Sequence, residues 1–254
     1  IDGTAGTNKI QAGLTSSSAN TLNSLDEIDG GAGTDTLNAS IATSVTPGEL
    51  KNVENVNLTF EAASKTFNAT NATGITTLTD VGSTNAGTIS NLSDTSTNLK
   101  VSDNSVGTTF TYKSSAVTGS ADSINLTLAN ATGAATTTIT GAVETVNLTS
   151  STSANTVRLD SGATTLNISG SEDLTLASAS TVLDSTTVVD ASAATGAITL
   201  IHDNTTAATG VTITGGSGND SLTLTGTNTA TDTVSGGAGN DTITFTADLA
   251  NADI

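Results

Sequence analysis

The sequence predicts an all-β chain folded as a parallel β-solenoid (a β-helix or β-roll), in which short strands stack coil upon coil. Apolar-x-apolar triplets such as Val146/Leu148 and Leu222/Leu224 recur along the chain, flanked by Asn, Asp, Gly, Ser and Thr. This alternation points the apolar side chains to one face of a strand. Successive triplets lie roughly ten residues apart, so a strand and a turn fit in each step and two steps make a coil of about 20 residues.

The composition favours a thin core of this kind. Large aliphatic residues and Phe (14 Ile, 21 Leu, 15 Val and 4 Phe) make up 54 of 254 residues. This share, about a fifth, lies just above the level at which a highly charged chain is expected to be disordered. A disordered or O-glycosylated stalk is the alternative, but such stalks are usually rich in proline. Pro47 is the single proline, and the periodic aliphatic residues favour a folded chain.

Charge and residue content exclude several classes of protein. With 24 acidic against 6 basic residues and a net charge of −18, the chain has no basic patch for nucleic acid. No apolar stretch approaches the length of a membrane span, so we expect no membrane insertion. Cysteine is absent, which excludes disulfides and thiolate sites. His202 is the single histidine, and no cysteine or second histidine is present to share a zinc ion with it. Asp203, next to it in sequence, cannot orient it for a catalytic triad by adjacency alone, so we expect His202 in a solvent-facing turn.

No linker divides the chain, so we expect one continuous solenoid over residues 1–254. Its opening residues already lie inside a running repeat, which suggests a fragment or a processed product. One longer unit recurs at an offset of 90 residues: Val53–Thr59 (Val-Glu-Asn-Val-Asn-Leu-Thr) reappears as Val143–Thr149 (Val-Glu-Thr-Val-Asn-Leu-Thr).

Glycine-rich turns carry the chemistry of the chain. Three segments match the nonapeptide G-G-x-G-x-D-x-U-x, in which U is a large aliphatic residue: 30–38, 215–223 and 236–244. A fourth, degenerate copy covers residues 3–10, with Asn8 in the aspartate position. The segment Gly119–Ile124 is a shortened and weaker relative.

The nonapeptide suits calcium. Glycine permits backbone conformations that turn carbonyl oxygens inward, and calcium takes six to eight oxygen ligands that include carboxylates. One turn supplies half of such a shell, so a second turn must stack on it. Asp220 and Asp241 lie 21 residues apart, one coil length, and we expect their turns to face each other across one ion. The alternative is a set of glycine turns that bind no metal.

These nonapeptides resemble those of the RTX family, whose members are secreted by Gram-negative type I systems. The Val-Glu-Thr-Val-Asn-Leu unit and the segment Asp190–Ile198 resemble RTX-type surface-layer proteins of the Caulobacter kind. The resemblance implies RTX calcium-binding turns at 3–10, 30–38, 215–223 and 236–244, with Ca²⁺ as the cofactor. It implies that the calcium ligands are supplied by Asp35, Asp220, Asp241, Gly31, Gly33, Gly216, Gly218, Gly237 and Gly239. Most other coils are then expected to be held by aliphatic and Asn/Thr ladders without metal.

The function expected from these features is structural, without enzymatic activity. The first hypothesis is a calcium-binding component of a surface layer on a Gram-negative cell, secreted and self-assembling into a lattice. Its expected partners are copies of itself, with cell-surface polysaccharide as a second candidate. The alternative is a type I secreted RTX adhesin or biofilm-matrix protein. A β-helical enzyme acting on acidic polysaccharide comes third, because its site needs a basic cluster that the scattered Lys and Arg residues do not form.

Overall fold

A computed structural model describes residues 1–177, 183, 185–204, 210–226 and 231–246. Within them the chain forms short β-strands and one 3₁₀ turn at Ser114–Ala116. In chain order the strands are β1 (Lys9–Ala12), β2 (Glu27–Asp29), β3 (Thr36–Ile41), β4 (Glu49–Lys51), β5 (Asn55–Phe60), β6 (Lys65–Asn68), β7 (Ala72–Thr73), β8 (Thr77–Val81), β9 (Gly87–Leu92), β10 (Asn98–Ser102), β11 (Thr108–Tyr112), β12 (Ser123–Ala129), β13 (Ala135–Thr140), β14 (Thr145–Ser151), β15 (Asn155–Ser161), β16 (Thr165–Gly170), β17 (Leu174–Leu176), β18 (Val188–Ala194), β19 (Ile198–Asn204), β20 (Thr212–Thr214), β21 (Ser221–Gly226), β22 (Thr233–Ser235) and β23 (Thr242–Phe245).

The strands form three parallel sheets. The first has eleven strands in the order β1-β3-β5-β8-β10-β12-β14-β16-β18-β20-β22. The second has nine, in the order β23-β21-β19-β17-β15-β13-β11-β9-β6, and a short third sheet joins β2, β4 and β7. Neighbouring strands come from successive coils, which is the topology of a solenoid. The predicted all-β parallel β-solenoid is therefore confirmed.

The pairing register fixes the coil length and stacks like residues on like. Paired residues are 19 positions apart where Thr36 meets Asn55 and 29 apart where Thr108 meets Thr137. One column of the first sheet stacks buried aliphatic side chains coil after coil: Leu37, Val56, Leu78, Leu99, Leu126, Leu148 and Ile168. The second sheet packs against this column, and the core is a narrow strip that contains few aromatic rings.

Asparagine side chains form a ladder on the outer face of the first sheet. The amide of Asn147 donates to the Oδ1 atom of Asn125 at 3.1 Å, and the amide of Asn167 donates to that of Asn147 at 2.9 Å. Asn125 donates in turn to Asn98 at 3.1 Å. Each amide thus pairs with its counterpart one coil away, which confirms the expected asparagine ladder.

Two features differ from the sequence-based expectation. His202 lies in β19 with 1% of its surface exposed, and its Nε2 atom is 2.8 Å from the carbonyl oxygen of Thr186. The prediction of a solvent-facing turn was wrong, because the alternation of β19 directs this ring into the core. The third sheet, at β2, β4 and β7, was not predicted either, since its strands have only two or three residues.

Candidate metal centre

The two C-terminal nonapeptide turns stack on consecutive coils. The turn at residues 215–220 leads into β21 and the turn at 236–241 leads into β23, and these strands pair with Ser221 opposite Thr242. The Asp220 amide donates to the Oδ1 atom of Asp241 at 2.9 Å. The 21-residue spacing therefore places one aspartate directly beside the backbone of the other.

A third coil continues the stack on the far side of Asp220. The Oδ1 atom of Asp220 accepts the backbone N–H of Ile198 at 2.8 Å, and its Oδ2 atom accepts that of Gly216 at 2.7 Å. Ser217 donates its backbone N–H to the carbonyl oxygen of Ala194 at 3.0 Å. Asp220 is buried, with 2% of its surface exposed. Its carboxylate is thus enclosed between coils, where backbone N–H groups and a cation can balance its charge.

The glycines of these turns serve two different purposes. At Gly31 and Gly33 the φ angles are +87° and +123°, and at Gly237 and Gly239 they are +89° and +117°. These are left-handed conformations that strongly favour glycine. Gly216 and Gly218 are not in that region. There a side chain would collide with the backbone of Ala194–Ala197 in the coil below, so close stacking is the requirement.

The two N-terminal turns form a separate column. The turn at residues 3–8 precedes β1 and the turn at 30–35 precedes β3, and both strands belong to the first sheet. The C-terminal turns precede strands of the second sheet. The four turns therefore lie in two columns rather than one.

Asn8 fills the centre of the first turn with its side-chain amide. Its Nδ2 atom donates to the carbonyl oxygens of Thr4 (3.2 Å), Gly6 (2.6 Å) and Gly30 (3.0 Å) and to the Oδ1 atom of Asp35 (2.8 Å). Oxygens from two successive turns thus surround one point, as a calcium shell requires. The Nδ2 group of Asn8 occupies this point with an N–H donor.

Asp35 occupies the same position in the next turn, with an oxygen in place of the amide nitrogen. Its side chain is fully buried, Oδ1 accepts two hydrogen bonds from Asn8, and Oδ2 has no hydrogen-bond partner. The Asp35 amide donates to the Oε2 atom of Glu54 at 2.8 Å. A buried carboxylate oxygen without a donor is costly, and a hard cation supplies what it lacks. The residues of this turn fit calcium.

Asp29 directly precedes the same turn, and its carboxylate accepts hydrogen bonds from neighbouring groups of the protein. The amide of Asn52, 2.8 Å from Oδ1, is the main cause that lowers the pKa of Asp29. Partial burial opposes this effect, while the Gly31 N–H and the Lys51 ammonium add to it. Neighbouring groups of the protein therefore hold Asp29 ionised.

Asn155 is a turn-closing residue that the motif search missed. Its Nδ2 atom donates to the carbonyl oxygens of Ser151 (3.2 Å) and Ser153 (2.8 Å), four and two positions earlier. Asn8 uses the same two relative positions, Thr4 and Gly6. Through the pairings of β15, β17, β19 and β21, Asn155 lies in the column of Asp220. No glycine lies between Ser151 and Asn155, so the only sequence signal was an asparagine two residues before the apolar-x-apolar triplet Val157/Leu159.

Asp80 is a third buried carboxyl group and lies away from the turns. It is fully buried in β8, where the hydroxyl groups of Ser83 and Thr108 bond its two oxygens. Burial raises the pKa of Asp80, and hydrogen bonds from Ser83, Thr108 and Asn104 offset part of that rise. In the described ranges no three His, Cys, Asp or Glu side chains group together as a metal cluster.

Comparison with known families identifies the turns. The model of the RTX calcium-binding nonapeptide repeat matches four copies, at residues 2–37, 26–41, 211–228 and 226–244. Neither the curated proteins nor the solved structures contain a match to this chain.

The fold and the turns together define the class of protein: the chain is a parallel β-solenoid that carries four RTX calcium-binding repeats. Its RTX repeats bind Ca²⁺, as predicted. Where the structure describes the chain, no helix has the length and apolar character needed to cross a membrane.

Proposed function

We propose that the chain is a structural component of a bacterial surface layer, secreted by a type I system and assembled into an extracellular lattice through calcium. The RTX repeats support secretion and calcium binding. The individual calcium ligands, Asp35, Asp220 and Asp241 with the carbonyl groups of their glycines, belong to the same proposal.

The lattice proposal rests on one observation: the chain stacks polar outer sheet faces while its basic residues are too few to balance its negative charge. If all 6 basic residues paired with acids, 18 of the 24 carboxylates would still lack a basic partner. The outward positions of the sheets hold Asn and Thr, as in β5 and β14. Such faces are regular enough to pack side by side, but the net negative charge of the chain opposes close contact unless divalent cations bridge neighbouring copies.

The test is assembly of the purified chain with and without calcium. Light scattering and negative-stain microscopy are performed in chelator, in millimolar Ca²⁺ and in NaCl of equal ionic strength. We expect ordered sheets in calcium that chelator dissolves and that NaCl does not induce. Separate rods at high protein concentration in calcium would refute the lattice and favour the adhesin or biofilm-matrix function.

A further inference from the structure

A side chain of the protein already fills the space between the two N-terminal repeats. The Nδ2 atom of Asn8 lies among four oxygens that a cation would otherwise share. Its Oδ1 atom faces donors, the N–H and the hydroxyl group of Thr4 at 3.3 and 3.2 Å. This pattern fixes the orientation of the amide. An ion between residues 3–8 and 30–35 would have to displace these bonds.

The open coordination position lies one coil further along. A methyl group placed on Gly3 would lie 3.0 Å from Nδ2 of Asn8 and would collide with the carbonyl oxygen of Gly30. A methyl group placed on Gly30 would lie 2.8 Å from Oδ2 of Asp35 and would collide with the carbonyl oxygen of Asn52. The Oδ2 atom of Asp35 therefore stands in its turn where the Asn8 nitrogen stands in the turn before. Unlike that nitrogen it has no proton to donate.

Glu54 stands in the same relation to Asp35 as Asp35 does to Asn8. Thr36 pairs with Asn55, so Glu54 precedes its strand as Asp35 precedes β3. Glu54 accepts the backbone N–H of Asp35 at 2.8 Å, just as Asp35 accepts that of Asn8 at 2.6 Å. The nearby ammonium of Lys51 is engaged with Asp29 (3.4 Å) and Glu49 (3.1 Å). The Glu54 carboxylate thus lies against the backbone of Asp35, whose own carboxylate is fully buried and has an oxygen that lacks a partner.

We propose that a calcium ion binds between the turn at residues 30–35 and the coil of Glu54, with Asp35 and Glu54 as its charged ligands. The carbonyl oxygens of Gly31, Gly33 and Asn52 correspond to those of Thr4, Gly6 and Gly30 around Asn8, and they are the neutral ligands. Glu54 and Asn52 lie outside the matched repeats, which end at residue 41 on this side. The N-terminal ion is thereby displaced one coil from the pair of repeats. This inference rests on calcium binding by the RTX turns and does not depend on lattice assembly.

The test counts bound calcium by isothermal titration of the full chain. Glu54→Gln keeps an acceptor for the Asp35 N–H and removes the charge, so we expect the loss of one calcium equivalent. Asp35→Asn places an amide where Asn8 has one and should lose the same equivalent while the calcium-free chain stays folded by circular dichroism. Asn8→Asp should add a site.

Glu144→Gln is the matched control. Glu144 accepts the backbone N–H of Asp122 at 2.8 Å, as Glu54 does that of Asp35. Asp122 is only half-buried, however, and its Oδ2 atom accepts the Gly119 N–H at 3.0 Å, so it has no buried oxygen that lacks a partner. We expect the wild-type stoichiometry in this variant. Equal losses from Glu54→Gln and Glu144→Gln, or no loss from Glu54→Gln, would overturn the site. If Glu54→Gln lost no calcium while Asp241→Asn still lost one ion, the repeats would bind calcium without the proposed site. A wild-type chain that binds no calcium would overturn both the proposed site and calcium binding by the repeats.

Discussion

The side chain at the sixth position of a turn determines what closes that turn. Asn8 and Asn155 present a nitrogen to the carbonyl oxygens four and two positions earlier. An aspartate at the same position presents an oxygen, which repels those carbonyls unless a cation lies between them. On the proposed ligand assignment, the difference between these two atoms separates a turn that the chain closes by itself from a turn that calcium closes.

Replacing Asp241 should weaken calcium binding at the C-terminal column. Asp241→Ala removes a charged ligand and also the acceptor of the Asp220 N–H, so we expect at least about a tenfold loss of affinity at one site. Asp160→Ala is the control, because Asp160 is an exposed residue of β15 outside any nonapeptide. Isothermal titration of both variants compares them, and equal losses would contradict the assignment of the motif.

Replacing Asn155 by Asp should destabilise the calcium-free chain. The change turns a donor into an acceptor among the carbonyl oxygens of Ser151 and Ser153, and we expect the free energy of unfolding to fall by about 1–3 kcal/mol. Asn85→Asp makes the same chemical change where the amide donates to the neighbouring Thr84 hydroxyl, and it should cost under about 0.5 kcal/mol. Urea unfolding in chelator measures both. Equal effects would rule out the closing role of Asn155.

Asp80 should make stability depend on pH in a defined direction. Burial raises its pKa above the ordinary 3.8. A carboxyl group with a raised pKa contributes stability that is complete below its unfolded pKa and is lost as the pH rises through the folded value. Relative to Asp80→Asn, which cannot ionise, the wild type should therefore lose stability from about pH 4 upward. Urea unfolding of both proteins between pH 3 and 7 tests this, and a constant difference would contradict it.

At the level of strands, recurring side chains join successive coils. Aliphatic columns lie on the inner faces, and the asparagine ladder runs over β10, β12, β14 and β16 on the outer face of the first sheet. Each ladder bond joins residues one coil apart. Each coil pairs only with its two neighbours in the stack, so the stabilising free energies of these contacts add from coil to coil.

The ladder predicts a coupling between Asn125 and Asn147. Replacing each by Ala, singly and together, should give an interaction free energy of about 0.5–1 kcal/mol, since the two amides bond each other. The pair Asn38 and Asn147, which lies on distant coils, should show additive losses within about 0.3 kcal/mol. A double-mutant cycle from denaturant unfolding gives both values, and equal coupling in the two pairs would argue against the ladder.

The strands were the part of the fold most accessible from the sequence. Triplets such as Val146/Leu148 alternate clearly enough to predict a strand, and their spacing predicts the coil. The third sheet was not accessible, because Ala72–Thr73 and its partners are too short to show a period. His202 was misplaced for a related reason: a polar residue in a buried position breaks the alternation from which burial is inferred.

The candidate site was predictable only in part. The nonapeptides identify Asp35, Asp220 and Asp241 from local spacing alone. Which turns stack on each other depends on coil lengths that vary from 19 to 29 residues, and these follow from register rather than from any motif. Hence the separation of the turns into two columns, and the position of Glu54 beside Asp35, emerged only from the strand pairing.

For the whole molecule, charge and calcium are coupled. A chain of net charge −18 resists compaction through self-repulsion, and each bound Ca²⁺ removes two negative charges while it joins two coils. Extracellular calcium sites have Kd values of about 10⁻⁴–10⁻³ M. Calcium at millimolar concentration should therefore stabilise the folded solenoid, whereas the low calcium level inside a cell should not.

Thermal unfolding with and without calcium tests this account most directly. For a site with a Kd of about 0.1 mM, 10 mM Ca²⁺ adds about 2.7 kcal/mol to the free energy of unfolding. In a chain of this size that amount raises the Tm by about 5–10 °C. Circular dichroism melts in EGTA, in 10 mM MgCl₂ and in 10 mM CaCl₂ make the comparison, and we expect the rise in calcium only. An identical β spectrum and an identical Tm in all three would contradict a calcium-stabilised solenoid.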